Sequence, residues 1–139
     1  MKLQKQNTKF ETTTYLIEDV SPAYVNAIRR YGMDYVPTLA IEDVEIIENS
    51  SALYNEVVAH RLGLIPLTTD LESYTLPQEG EDVSAMNSVV LTLNVEKDGY
   101  VCAKDLQTKD PKVKPAFEDM QITYLLDGQK VEINTTAVM

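Results

Sequence analysis

The sequence predicts an α+β fold, with two helices in its first half and mostly antiparallel strands after them. Three observations carry this reading. Apolar residues recur at helical spacing in two early segments, each with start and stop signals. Runs rich in β-branched and aromatic residues fill much of the remainder. Two aspartate–glycine pairs, Asp98-Gly99 and Asp127-Gly128, mark tight turns in the C-terminal half.

Residues 9–17 (Lys-Phe-Glu-Thr-Thr-Thr-Tyr-Leu-Ile) read as a strand. Ser21-Pro22 then starts a helix: the serine hydroxyl can cap free amides, and proline at the first helical position loses no needed donor. Tyr24, Ile28, Tyr31 and Tyr35 follow at three- or four-residue spacing, with Val25 and Gly32 beside them. Arg29-Arg30 projects from the C-terminal half, where cations suit the helix dipole, and Pro37 ends the helix. From Thr38 to Glu48, Leu39, Ile41 and Val44 alternate imperfectly with Glu42, Asp43 and Glu45, which indicates a strand with a bulge near Glu42-Asp43.

Asn49-Ser50-Ser51 is expected to cap a second helix over 52–62, with Gly63 as a left-handed stop. Leu53, Val57 and Leu64 are expected to line one of its faces, with Val58 and Leu62 adjoining. Residues 70–87 read as an irregular acidic loop containing Pro77 and Gly80. Beyond it, Asp98-Gly99 is expected to join strand 88–96 to strand 100–104, and Asp127-Gly128 to join 121–126 to 129–136, as two hairpins. The polar, proline-marked stretch from Lys104 to Pro115 reads as an ordered connector.

Composition bounds the function. A chain of 139 residues suits one ordinary domain or two small lobes. The net charge of −10 argues against binding a phosphate backbone as a main task, which needs clustered Lys and Arg. One cysteine excludes an internal disulfide framework and a Cys-rich zinc site; Cys102, in the strand-like run Tyr100-Val101-Cys102-Ala103, reads as a buried, inert thiol. The start lacks an apolar signal-peptide core, and no run approaches the roughly 18 apolar residues of a membrane span. A soluble, cytoplasmic protein without a membrane partner is expected.

His60, the only histidine, is the first candidate for chemistry. Glu56 lies one helical turn before it, but one carboxylate and one imidazole make half a metal site, so a packed or interface histidine is the better reading. Glu42, Asp43, Glu45 and Glu48 match no metal-ligand loop and read as an acidic strand rim. No glycine-rich phosphate loop, nucleophile elbow or Cys–His pairing is present. No catalytic residue, metal ligand or cofactor site is assigned. What stands out is conformational punctuation at Pro22, Pro37, Gly63 and Pro66 around apolar segments, which suits a scaffold that docks other proteins.

Several segments together resemble the family of the archaeal RNA polymerase D subunit. They are Val20-Ser21-Pro22-Ala23-Tyr24-Val25-Asn26-Ala27-Ile28-Arg29-Arg30, then Val36-Pro37-Thr38-Leu39-Ala40-Ile41-Glu42-Asp43-Val44, and Ile47-Glu48-Asn49-Ser50-Ser51-Ala52-Leu53-Tyr54-Asn55-Glu56. Ala59-His60-Arg61-Leu62-Gly63-Leu64-Ile65-Pro66-Leu67 follows, with Lys104-Asp105-Leu106 and Asp110-Pro111-Lys112-Val113-Lys114-Pro115 further on. The similarity runs in order from about residue 10 to the C-terminus. The third-largest subunit of eukaryotic RNA polymerase II and the N-terminal domain of the bacterial α subunit are relatives of that family.

The resemblance implies an α-subunit-like fold: a discontinuous dimerisation lobe, here residues 1–47, and an inserted, mostly antiparallel β lobe, here 48–139. It implies a non-catalytic assembly subunit that pairs with the small L subunit and, with the small N and P subunits, forms a platform for the large catalytic subunits. Asn26, Arg29 and Arg30 on the first helix, and His60, Arg61 and Leu62 in the second motif, are the positions it marks as supporting partner contacts. The alternative is a stand-alone regulator of the same fold that competes for the L subunit.

Three departures accompany the resemblance. Many relatives carry a cysteine cluster after a Leu-Pro-Glu-Glu-Cys motif, whereas Leu76-Pro77-Gln78-Glu79-Gly80 has none. One cysteine cannot supply the iron–sulfur ligands of the ferredoxin-like domain in other members. Relatives also continue past the position of Met139 into a Gly-x-Gly-x-x-His-Ala-Lys segment and a second dimerisation helix. A fragment, or one half of a split subunit, is therefore expected, with apolar surface on the first helix that needs a complementing chain.

Overall fold

The N-terminal segment is a hairpin. In the computed structural model, which describes residues 1–9, 12–78, 80 and 82–139, β1 (Lys2–Lys9) pairs antiparallel with β2 (Thr12–Glu18). The strand expected over 9–17 coincides with β2 from Thr12 onward; Phe10 and Glu11 lie outside the described residues. β1 is not legible in the sequence because Lys2-Leu3-Gln4-Lys5-Gln6-Asn7 is polar and lacks β-formers. Its order comes from the ladder with β2, which sets Leu3 opposite Ile17.

Helix α1 (Pro22–Asp34) begins as expected: Ser21 is the N-cap, its hydroxyl accepting from the Tyr24 amide at 3.4 Å, and Pro22 occupies the first turn. It ends at Asp34 with Tyr35 as C-cap, and no basic residue lies in its last turn. Arg29 and Arg30 therefore sit mid-helix, too far from the terminus to gain from the dipole, whose effect is confined to the last turn.

The chain divides into two compact units, Met1–Val36 and Pro37–Met139. In the second unit, β3 (Ala40–Asn49) is hydrogen-bonded along its length to β8 (Val131–Val138). The bulge expected near Glu42-Asp43 is present as a register shift between Ile41 and Asp43, and a second lies between Ile46 and Glu48.

In the second unit, α2 (Asn55–Gly63) starts three residues later than expected, after Tyr54, and has no side-chain cap. Asn49 instead ties the preceding turn: its Nδ2 donates to Leu53 O at 3.0 Å and Asn55 Oδ1 at 2.8 Å, and its Oδ1 accepts from the Ser51 amide and hydroxyl. Gly63 is the last helical residue and does not adopt positive φ; Leu64 follows in the right-handed region. The buried face is Val58 and Leu62, joined by Ile65 beyond the helix, whereas Val57 and Leu64 are exposed. The apolar stripe thus lies about one position around the helix from the expected one.

β4 (Ser88–Val95), β5 (Gly99–Cys102), β6 (Gln107–Thr108) and β7 (Gln121–Leu125) complete the strands, with a 3₁₀ turn at Ala103–Asp105. One sheet has the order β3-β8-β4-β6, and β5 pairs with β7 in a second. Both aspartate–glycine turns exist, with φ of 118° at Gly99 and 76° at Gly128. The hairpins do not: β4 pairs with β8 and β6, while β5 pairs with β7, so each turn passes the chain from one sheet to the other.

Along β8, Val131, Ile133, Thr135 and Ala137 point into the core, and the residues between them are half-buried on the outer face. Leu91, Leu93 and Val95 of β4 align with them, and Ile122, Leu125, Val101, Val58 and Leu62 belong to the same core. The described residues of the expected loop over 70–87 are irregular, Glu79 and Glu81 lying outside them, and Cys102 is buried as expected. No helix among the described residues is long and apolar enough to cross a membrane.

Candidate subunit interface

α1 presents two different faces. Tyr24, Ile28, Tyr31 and Tyr35 lie on one side, all exposed, Tyr31 by 64% and Tyr35 by 70%, with the two rings stacked at 4.8 Å. Asn26, Arg29, Arg30 and Met33 lie on the opposite side by the helical repeat. No residue of α1 is buried. An amphipathic helix exposing four large apolar side chains in a row has the surface of a docking element.

On the polar side, Arg29 Nε and Nη2 both donate to Asn26 Oδ1, at 3.1 and 2.9 Å, and Nη1 lies 3.1 Å from Met33 Sδ. Asn26 and Arg29 are thus brought together. Arg30 is exposed and makes no ion pair with a described residue.

His60, Arg61 and Leu62 belong to the second unit and part company there. His60 is exposed. Arg61 is anchored, its Nη1 donating to Ile122 O at 3.0 Å, which ties α2 to β7. Leu62 is fully buried within the core of this unit. Glu56 and His60 form no ion pair, and no group of three or more His, Cys, Asp or Glu suited to a metal gathers among the described residues. The carboxylates of β3 form a rim on the outer sheet face: Glu45 accepts from Asn134 Nδ2 at 3.1 Å, and Glu48 lies 3.5 Å from Lys130 Nζ.

A polar clip is invisible in the sequence because its members come from distant segments. Asp70 pairs with Lys112 and accepts from the Ser73 hydroxyl at 2.7 Å, while the Tyr74 hydroxyl donates to Asp110 at 2.6 Å. The Lys112 bond, with help from Ser73 and the Glu72 amide, holds the Asp70 carboxyl down at about 2. Burial, then the bond to Asp110, pushes the Tyr74 phenol up to about 12. The Tyr74 hydroxyl and the Lys112 amide lower Asp110 in turn. The clip fastens the start of the 70–87 loop to the connector, which is ordered as expected. In the same connector, burial raises Asp105, but the Cys102 amide at 2.9 Å and Lys97 at 2.9 Å outweigh it and leave the carboxyl lowered.

Residues 39–139, nearly the whole second unit, match the family model described as the RNA polymerase Rpb3/RpoA insert domain. The chain belongs to this family. It is 38% identical over 144 residues to the DNA-directed RNA polymerase subunit Rpo3 of Methanosphaera stadtmanae, covering 99% of this chain and 53% of that protein. It is 42% identical to Rpo3 of Methanosarcina acetivorans, covering 100% of the chain and 52% of the relative. For Rpo3 of Pyrococcus horikoshii the values are 41%, 91% and 48%. The chain thus spans about half the length of the relatives it matches.

Proposed function

We propose that this chain is a non-catalytic assembly subunit of a cytoplasmic DNA-directed RNA polymerase, corresponding to the archaeal D subunit. The observation that carries the proposal is its likeness to Rpo3 subunits across nearly its full length. The exposed apolar stripe of α1 supports it, since such a face needs a covering chain. On this reading residues 1–36 contribute to a dimerisation lobe whose α1 stripe packs on the small α-like L subunit. The pair, with the N and P subunits, then carries the large catalytic subunits. Arg29, Arg30, His60 and Arg61 contribute contacts at this platform, and Leu62 holds α2 for them.

Affinity purification of the tagged chain together with the other polymerase subunits tests this. Recovery of the large subunits, weakened by the charge reversals Arg29→Glu and Arg30→Glu, is the expected result. Undiminished recovery would sink the arginine contact. Binding of the L subunit by a chain never found in assembled polymerase would favour a competing regulator instead.

A further inference from the structure

We propose that Asn26 and Met33 are positioning residues that fix the Arg29 guanidinium, leaving one outward fork of paired N–H donors for a carboxylate on a protein partner. The proposal rests on the reading of α1 as a docking helix and deepens it by naming what that side of the helix recognises.

The argument is geometric. Nε and Nη2 share Asn26 Oδ1, which occupies the side edge of the guanidinium plane. Met33 Sδ, one helical turn beyond Arg29, lies 3.1 Å from Nη1, and we place it on the hydrogen that points back along the stem. What remains is the end of the fork, one hydrogen on each terminal nitrogen, side by side and directed away from the stem. That pair matches the spacing of carboxylate oxygens and makes the stronger, bidentate kind of charge-assisted bond.

An exposed arginine ordinarily loses much rotamer freedom on binding; one already held along its helix loses less. Arg30, exposed beside it, has no such partner among the described residues and offers a charge that its own helix does not aim. The fork lies opposite the Tyr24–Tyr35 stripe, so it meets a different surface from the one that covers the stripe. A carboxylate is favoured over a phosphate backbone because Arg30 is the only other cation on α1, Asp34 follows, and the chain carries −10.

The test is reconstitution of polymerase from the full-length subunit and its remaining subunits, with assembly affinity measured against salt. Asn26→Ala should weaken assembly about tenfold without altering helix content or melting temperature, and Met33→Leu about threefold. Arg29→Lys keeps the charge but loses the fork, and in that background Asn26→Ala should add nothing. An Asn26→Ala effect of equal size with Lys at 29 would mean that Asn26 touches the partner itself, and would overturn the proposal. So would an unchanged affinity for both Asn26→Ala and Met33→Leu while Arg29→Ala fails to assemble. Normal assembly of Arg29→Ala would instead defeat the broader arginine contact. Loss of affinity of Asn26→Ala for a duplex DNA probe, with assembly intact, would replace the carboxylate by phosphate.

Discussion

His60 and Leu62 lie two residues apart in one motif and do unlike work. Leu62 is fully buried among the side chains that hold α2 to the strands, while His60 faces solvent. Leu62→Ala should lower the stability of the second unit by about 2–5 kcal/mol, the range for emptying a leucine site in a core. His60→Ala should stay within about 0.5 kcal/mol of the parent, as exposed substitutions do. Urea denaturation of both variants measures the contrast; equal losses would contradict the placement of the two side chains. The clip gives a pH signature at the same scale. Asp70 is lowered from 3.8 to about 2, so its stabilisation is fully present above pH 4 and is lost as pH falls toward 2. Asp70→Asn should therefore be less stable than the parent at neutral pH, with the gap closing between pH 4 and pH 2 in a urea series. A gap that stayed constant would mean that Asp70 does not carry the clip.

The glycines separate the element scale from the residue scale. Gly63 looks like a helix stop in sequence, yet it is the last helical residue with ordinary φ, and a Cβ there would meet only Ile41 O at 3.5 Å. Gly128 has φ of 76° in the turn between β7 and β8. Gly63→Ala should thus be neutral or stabilising by up to about 1 kcal/mol, by reducing unfolded-chain entropy. Gly128→Ala should destabilise by about 1 kcal/mol or more through left-handed strain. Thermal melts check both assignments: Gly63→Ala should melt no lower than the parent, and Gly128→Ala lower. The aspartate–glycine signals are legible as turns, but not as connections between different sheets. Turn chemistry is local, while a strand's partners depend on which faces the core buries.

At the scale of the whole molecule, the two units differ in how they are held. Residues 37–139 contain the buried core, while α1 in the first unit buries no residue. A fragment of residues 37–139 should unfold cooperatively, with a melting temperature close to that of the full chain. The isolated 1–36 segment should show little stable structure by circular dichroism, because a hairpin and one helix with exposed apolar faces lack a core. The full chain at high concentration should self-associate unless a covering subunit is added; a monodisperse monomer by light scattering would count against the α1 docking face. A non-cooperative melt of 37–139 would show that the boundary is misplaced.

The sequence by itself determined the fold class, α1 with its Ser21 cap, the β3 bulge and the motifs that mark an RNA polymerase Rpb3/RpoA insert domain, because each is written in adjacent residues. Propensity, capping and turn chemistry act over a few positions, and family motifs are read directly. Only the tertiary structure decided that β3 belongs with β8, that β4 and β5 part to different sheets, and that Leu62 is core while His60 is surface. It alone joined Asp70, Tyr74, Asp110 and Lys112 into one clip and lashed Arg29 to Asn26 and Met33. The strand pairings and the clip bring together residues far apart in the chain. The Arg29 arrangement is local in sequence, but it depends on rotamers that residue type alone does not specify.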